Sequence, residues 1–281
     1  MSYMIIGVHG LANKPPTAQH EPDWVKAIVE GLKRNYNVTP PTINFRLVYW
    51  ADVMYPSPLH PDEEPYLAAE GTGPLQTYKD GWLDALRATV SSVGGNAWDA
   101  AKRWFGIDEV ADVVLQLKLK DLARYYENVT IREKLRERLR SAIQEEQPKR
   151  IMIIAHSMGS IISYDVLREL GKAGSRLSID HFITIGSPLG LPHVKGKIFE
   201  ENQALRSPSV VQQWTNFADR RDPVAFDTHL GDDYEANDRG VTVRDDLIIN
   251  SYKSPSGKTN YHKIYGYLRA PELSDIVRKF I

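Results

Sequence analysis

Cysteine does not occur in the 281 residues. That excludes a disulfide framework, a thiolate nucleophile, zinc-thiolate sites and iron–sulfur clusters together, and leaves oxygen or nitrogen as the atom of any nucleophile. An excess of charge of one sign is also missing. Lys plus Arg (35) balance Asp plus Glu (36) to a formal net charge of −1, so the one-sided basic field of a nucleic-acid binder is not there. Long apolar runs are lacking as well. The stretches at residues 4–8 and 151–155 are far too short for a membrane span, and no basic, then apolar leader opens the sequence, so a cytoplasmic location is expected. Two Asn-Val-Thr triplets, at Asn37 and Asn128, match the glycosylation sequon and read as coincidence in that setting.

What the chain has is 42% hydrophobic residues, enough for a full core. Short β-branched runs alternate with helical patterns, which predicts a mostly parallel sheet covered by helices. Strands are expected at Tyr3–Val8, Ile43–Trp50, Arg150–Ala155, His181–Ile185, Val210–Phe217 and Asp246–Asn250; the first and third are apolar on both faces and should be inner. Helices are expected at Asp23–Arg34, Ile131–Glu146, Met158–Gly171 and Pro271–Phe280. Thr130 and Glu133 have capping-box spacing at the second of these. Its Arg/Glu pairs predict a solvated outer face.

Residues 54–128 interrupt this rhythm. A Pro-rich loop (Pro56, Pro58, Pro61, Pro65) precedes helical patterns at Thr77–Val93, Asn96–Phe105 and Asp108–Tyr126, carrying Trp82, Trp98, Trp104 and Phe105. The segment reads as a helical cap inserted into a single domain spanning 1–281. Its large apolar groups form a core of its own, roof an apolar pocket, or do both.

The richest stretch for chemistry is Ile151-Met152-Ile153-Ile154-Ala155-His156-Ser157-Met158-Gly159. A buried strand runs into a small-X-Ser-X-Gly turn and on into a helix, the setting in which a serine is held clear of the sheet at a helix N-terminus. Here the sequence resembles the α/β-hydrolase superfamily, in its lipase- and esterase-like members. Ala155 replaces the commoner Gly. Val8-His9-Gly10-Leu11 is similar to the His-Gly oxyanion loop, and by position implies backbone donors at Leu11 and Met158, with His9, Gly10, His156 and Gly159 supporting the loops. Gly186-Ser187-Pro188 is similar to a turn seen after the following strand in such hydrolases.

The resemblance implies the chain order nucleophile, acid, histidine. Asp222, in Asp222-Pro223-Val224, is the expected acid and Asp219 the alternative, the unused one being a solvated carboxylate paired with Arg220 or Arg221. Of eight histidines only His229 and His262 follow the acid; His262, in a polar loop before the terminal helix, is preferred. The acidic run Asp227, Asp232, Asp233, Glu235, Asn237, Asp238 lacks EF-hand spacing and reads as a solvated loop. No metal or organic cofactor is expected, and no nucleotide-binding fingerprint occurs. The implied fold is thus an α/β-hydrolase sheet of about six strands with an inserted helical cap. The implied activity is cleavage of a small-molecule carboxylic ester, with an apolar acyl or lipid-like chain, by Ser157, His262 and Asp222. A thioesterase or acyltransferase on the same fold, or a non-catalytic binding module, are the alternatives.

Overall fold

Two hydrophobic clusters, one on each face of a single sheet, organise the computed structural model, which describes residues 2–63, 65–78, 121–146, 150–225 and 227–281. Strands β1 (Tyr3–Val8) and β3 (Arg150–His156) show why. Met4, Ile6 and Val8 with Ile151, Ile153 and Ala155 belong to one cluster, while Ile5 with Met152 and Ile154 belongs to the other. Side chains alternate across a strand, so runs that are apolar throughout need a cover on both sides.

The remaining strands are β2 (Phe45–Val48), β4 (His181–Ile185), β5 (Trp214–Ala218) and β6 (Val243–Leu247). All pairings are parallel in the order β2-β1-β3-β4-β5-β6, which puts β1 and β3 inside the sheet as expected. The first face is covered by α3 (Val129–Glu146), through Leu135, Leu139 and Ile143, and by α4 (Met158–Lys172), through Ile161, Ile162 and Val166. On the second face lie α1 (Thr17–Tyr36), with Trp24, Ala27, Ile28 and Leu32, then α6 (Ile264–Leu268) and α7 (Pro271–Phe280). Two further helices are α2 (Ala51–Met54) and α5 (Pro192–Asn202).

Several boundaries differ from the pattern in the sequence, each for a local reason. Strand β2 stops at Val48 because the Trp50 N–H turns away to donate to His9 Nε2 at 3.0 Å. Strand β6 lies three residues earlier than expected, and the Asn250 N–H donates to the Asp219 carboxylate at 2.7 Å instead of extending the ladder. On β5 the expected start at Val210 shrinks to an isolated bridge between Val211 and Ile179. Helix α1 begins six residues before Asp23 and runs through Pro22, whose ring forfeits one helical bond while the apolar face continues to pack. At α3 it is Asn128, not Thr130, that caps: its Oδ1 accepts from the Ile131 N–H at 3.0 Å. Asn37 ends α1 in the left-handed conformation, so both sequon asparagines terminate or start helices.

The outer face expected for α3 also needs correction. Arg136 is buried. It bridges Asp165, Glu169 and Glu201 at 2.7, 2.6 and 3.2 Å, and its Nε donates to the Tyr125 hydroxyl at 3.0 Å. Of the expected cap, residues 121–127 are helical, Thr77 and Tyr78 are not, and residues 79–120 lie outside those described. The opening part runs as an irregular strap over α1, held by Arg34 donating to the carbonyls of Ala69, Glu70 and Gly73.

Candidate active site

Sheet order reverses between β1 and β3: the chain moves one way to β2 and then returns to the other side of β1. In an open parallel sheet such a switch leaves a crevice beyond the carboxyl ends of the strands, and the loops leaving β1 and β3 frame it.

Ser157 stands in that crevice, between the end of β3 and the first residue of α4. Its backbone is at φ 54°, ψ −129°, a strained conformation for any residue with a Cβ. Close approach enforces the small neighbours. A Cβ on Gly159 would come within 2.3 Å of the Val8 carbonyl oxygen, and one on Gly10 within 2.6 Å of the Ser157 Cβ. The turn is tied to the next strand by the Ser157 N–H donating to the Ile185 carbonyl at 3.1 Å.

Residues distant in sequence converge on this serine. His262 Nε2 is 3.1 Å from Ser157 Oγ, and His262 Nδ1 is 2.8 and 2.9 Å from the two Asp222 oxygens. The Asp222 carboxylate also accepts from the Tyr267 hydroxyl at 2.7 Å and from the Val224 N–H at 2.9 Å. Burial by itself would raise its pKa; the charge and hydrogen bonds of His262, with Tyr267 and Val224, outweigh that and hold it below the ordinary carboxylate value. Gly186, at φ 52°, leaves the space this pair needs, since a Cβ there would lie 2.8 Å from Asp222 Oδ2 and 3.1 Å from His262 Nδ1. His156 supports the loop from behind, its Nε2–H donating to the His262 carbonyl at 2.9 Å and its ring packing on the His262 ring at 4.6 Å.

Neither alternative reaches the serine. Asp219 is engaged by the Arg221 guanidinium at 2.7 and 2.9 Å and by the backbone N–H groups of Arg221 and Asn250. It is buried rather than solvated, so its task is to knit the loop after β5 to the end of β6. His229 contacts Thr228 Oγ1. Farther along, Asp233 pairs with Lys195, while Glu235 and Asp238 pair with Arg206. No group of His, Asp and Glu suited to a metal ion occurs among the described residues.

On the β1 side, His9 is fully buried between Trp50, stacked at 4.4 Å, and His20. Its Nε2 accepts from the Trp50 N–H and its Nδ1–H donates to the Gly10 carbonyl, which fixes a neutral tautomer; burial, then the charge of Lys14, takes its pKa down to about 3. Leu11 lies in the wall of the cleft. Its carbonyl accepts from Lys14 Nζ at 2.6 Å, and Ala12 follows at φ 68°. Met158 begins α4, where the first N–H groups of a helix have no intrahelical acceptor. The cleft encloses about 170 Å³, with Ser157, His262, Leu11 and Lys14 among its walls.

Sequence reasoning did not reach Tyr267, whose hydroxyl accepts from the Asp219 N–H and donates to Asp222, nor the partners of His9. A tyrosine five residues beyond His262, on the inner side of a short helix, is the signal that could have drawn attention to it.

Residues 116–194 match the family model for lecithin:cholesterol acyltransferase, less than half of the chain but the part that holds α3, β3, Ser157, α4 and β4. Among solved structures, "the putative cell surface hydrolase from Lactobacillus plantarum WCFS1" aligns over 100% of this chain and 91% of its own, at 9% identity and a TM-score of 0.40, a likeness from which nothing about function follows. No curated protein matches the sequence. The sheet order and the strand–Ser157–helix turn are those of an α/β-hydrolase fold, and the family match falls on the stretch that carries this turn. Among the described residues no helix is long and apolar enough to cross a membrane.

Proposed function

We propose that the chain is a serine hydrolase that cleaves carboxylic esters through an acyl-enzyme. The observation that carries this reading is the continuous contact from Asp222 through His262 to Ser157 Oγ, at 2.8 and 3.1 Å. A serine alcohol is a poor nucleophile until a base takes its proton, and an imidazole does so only if its other nitrogen is held as a donor. Asp222 holds Nδ1–H, leaving the Nε2 lone pair toward Ser157.

Ser157 Oγ adds to the ester carbonyl as His262 Nε2 takes its proton. The oxyanion is met by the backbone N–H groups of Leu11 and Met158; in such sites one donor is worth about 3 kcal/mol of barrier. The tetrahedral intermediate collapses, the C–O bond to the alcohol breaks, and His262 returns the proton to the leaving oxygen. Water then attacks the acyl-enzyme with His262 again as base, releasing the acid and restoring Ser157. No step calls for a metal or cofactor.

A fluorophosphonate probe is expected to label Ser157 in the intact protein and to leave Ser157→Ala unlabelled. Labelling of the alanine variant at the same rate overturns the assignment. An acyl or lipid-like substrate is the reading for the insertion 54–128, whose large apolar residues Trp82, Trp98, Trp104 and Phe105 lie outside those described. It predicts that turnover of p-nitrophenyl esters rises with acyl length, and a flat or falling series removes it. The acyltransferase family match favours a second reading, an alcohol as acyl acceptor in place of water; partition of the acyl group between water and added alcohol decides between them.

A further inference from the structure

The α1 side of the cleft holds a group that the proposed reaction does not use. His20, 2% exposed, sits in the first turns of α1 and accepts at Nε2 from the Trp24 Nε1–H, one helical turn on, at 3.3 Å. A neutral ring that accepts at Nε2 carries its proton on Nδ1. Burial, followed by the positive charges of nearby Lys14 and Lys263, keeps the ring neutral. Nδ1 is therefore a donor, and it is buried with no partner among the described residues. A buried donor left unmatched is costly, because it has given up its bond to water and received nothing in return. The empty space that the ring borders is the cleft containing Ser157 and His262. Lys14 and Lys263 line the same cleft, and its described lining includes no aspartate or glutamate.

We propose that His20 is a substrate-binding residue whose Nδ1–H donates to an anionic oxygen, of a carboxylate or a phosphate, carried by the ester whose carbonyl faces Ser157. The inference rests on the reading of Ser157 as nucleophile. A neutral donor beside lysine charge suits such a group: it contributes a charge-assisted hydrogen bond without adding a further cation to be desolvated. A ligand without an acceptor leaves the N–H unmatched, and that mismatch is the basis of selection.

The test compares p-nitrophenyl monoglutarate with p-nitrophenyl pentanoate, which differ at the far end of a five-carbon acyl chain. The wild-type protein is expected to prefer the glutarate by about tenfold in kcat/KM. His20→Phe should erase that preference chiefly through KM, and His20→Gln, which restores an N–H, should recover part of it. An unchanged ratio in His20→Phe, or no preference in the wild type, overturns the proposal. Inorganic phosphate and acetate, tested as inhibitors of pentanoate turnover, tell the two anions apart by which one competes at lower concentration. If neither ester is turned over and Ser157 takes no fluorophosphonate, the hydrolase reading fails by itself. Nitrogen-15 histidine spectra still decide His20 in that case: its Nδ1–H resonance, assigned by its loss in His20→Phe, should move when phosphate or acetate is added. A resonance that does not move means that a buried water takes the bond, and the proposal falls.

Discussion

Two buried clusters of charge lie on opposite sides of α4. At its N-terminus, Asp222 and His262 meet Ser157; along its flank, Arg136 of α3 meets Asp165, with Glu169 and Glu201 at the edge. Both have carboxylates taken out of water. They differ in what answers the charge. In the flank cluster the cation is a guanidinium, charged at all accessible pH, and Tyr125 completes the bonding by donating to Asp165 and accepting from Arg136. In the Ser157 cluster the partner is an imidazole, which can gain and lose a proton near neutrality, and it borders a cleft. Buried charge by itself therefore says little about chemistry. A transferable proton beside open space is what separates a site from a clamp.

Asp222 is the residue at which the two clusters differ most in what a substitution should do. Asp222→Asn should lower kcat by about 10⁴-fold, because an amide can present its N–H and leave His262 in the wrong tautomer. Asp219→Asn should cost far less turnover and show itself in stability; a larger kinetic loss there would reverse the two roles. Arg136→Met strands buried carboxylates and should destabilise the fold by about 3–5 kcal/mol in urea titration, with turnover per folded molecule kept within about twofold. Double substitution with Asp165→Asn should recover much of that loss, and a specific collapse of kcat instead would tie the clamp to the chemistry.

A third measurement concerns pH. His9 and His181 have folded pKa values of about 3 and about 4 against an ordinary 6.5, burial being the main cause in both. A histidine whose folded pKa is lowered binds its proton more readily in the unfolded chain. Its contribution is therefore complete above pH 6.5 and is lost as pH falls from there toward the folded value. Stability should drop by about 1.4 kcal/mol per histidine for each pH unit once well below 6.5. His181→Gln, remote from Ser157, should remove one histidine's share of that slope, and a slope identical to wild type would refute the assignment. The smallest effect is expected at Tyr267→Phe, which takes one donor from Asp222. A loss of about threefold to tenfold in kcat, with a shifted acid limb of the pH profile, distinguishes support of Asp222 from a packing role.

The strand ends were legible because they obey local rules. Ser157 could be recognised from a buried run, small neighbours and a following helix; β1, β4 and α7 match the expected residues, since apolar runs bounded by turns leave little choice of register. Edge strands were less legible. The end of β6 depends on which group claims the Asn250 N–H, and that group, Asp219, lies 31 residues away. The position of Arg136 could not be read from helical spacing either. Its i, i+3 glutamate suggests a solvated pair, whereas the partners it takes belong to α4 and α5. The unmatched nitrogen of His20 is still farther from sequence, being a statement about what three-dimensional packing omits.

One consequence follows from the Ser157 backbone. At φ 54° and ψ −129° the residue that confers the proposed activity is also one the chain would fold more comfortably without. Glycine at that position relieves strain of order 1–3 kcal/mol, so Ser157→Gly should melt higher than Ser157→Ala while both remain inert. A lineage of this fold released from the need to turn over its substrate would gain thermal robustness by losing this side chain first, and heat tolerance in such a descendant would be a mark of retirement.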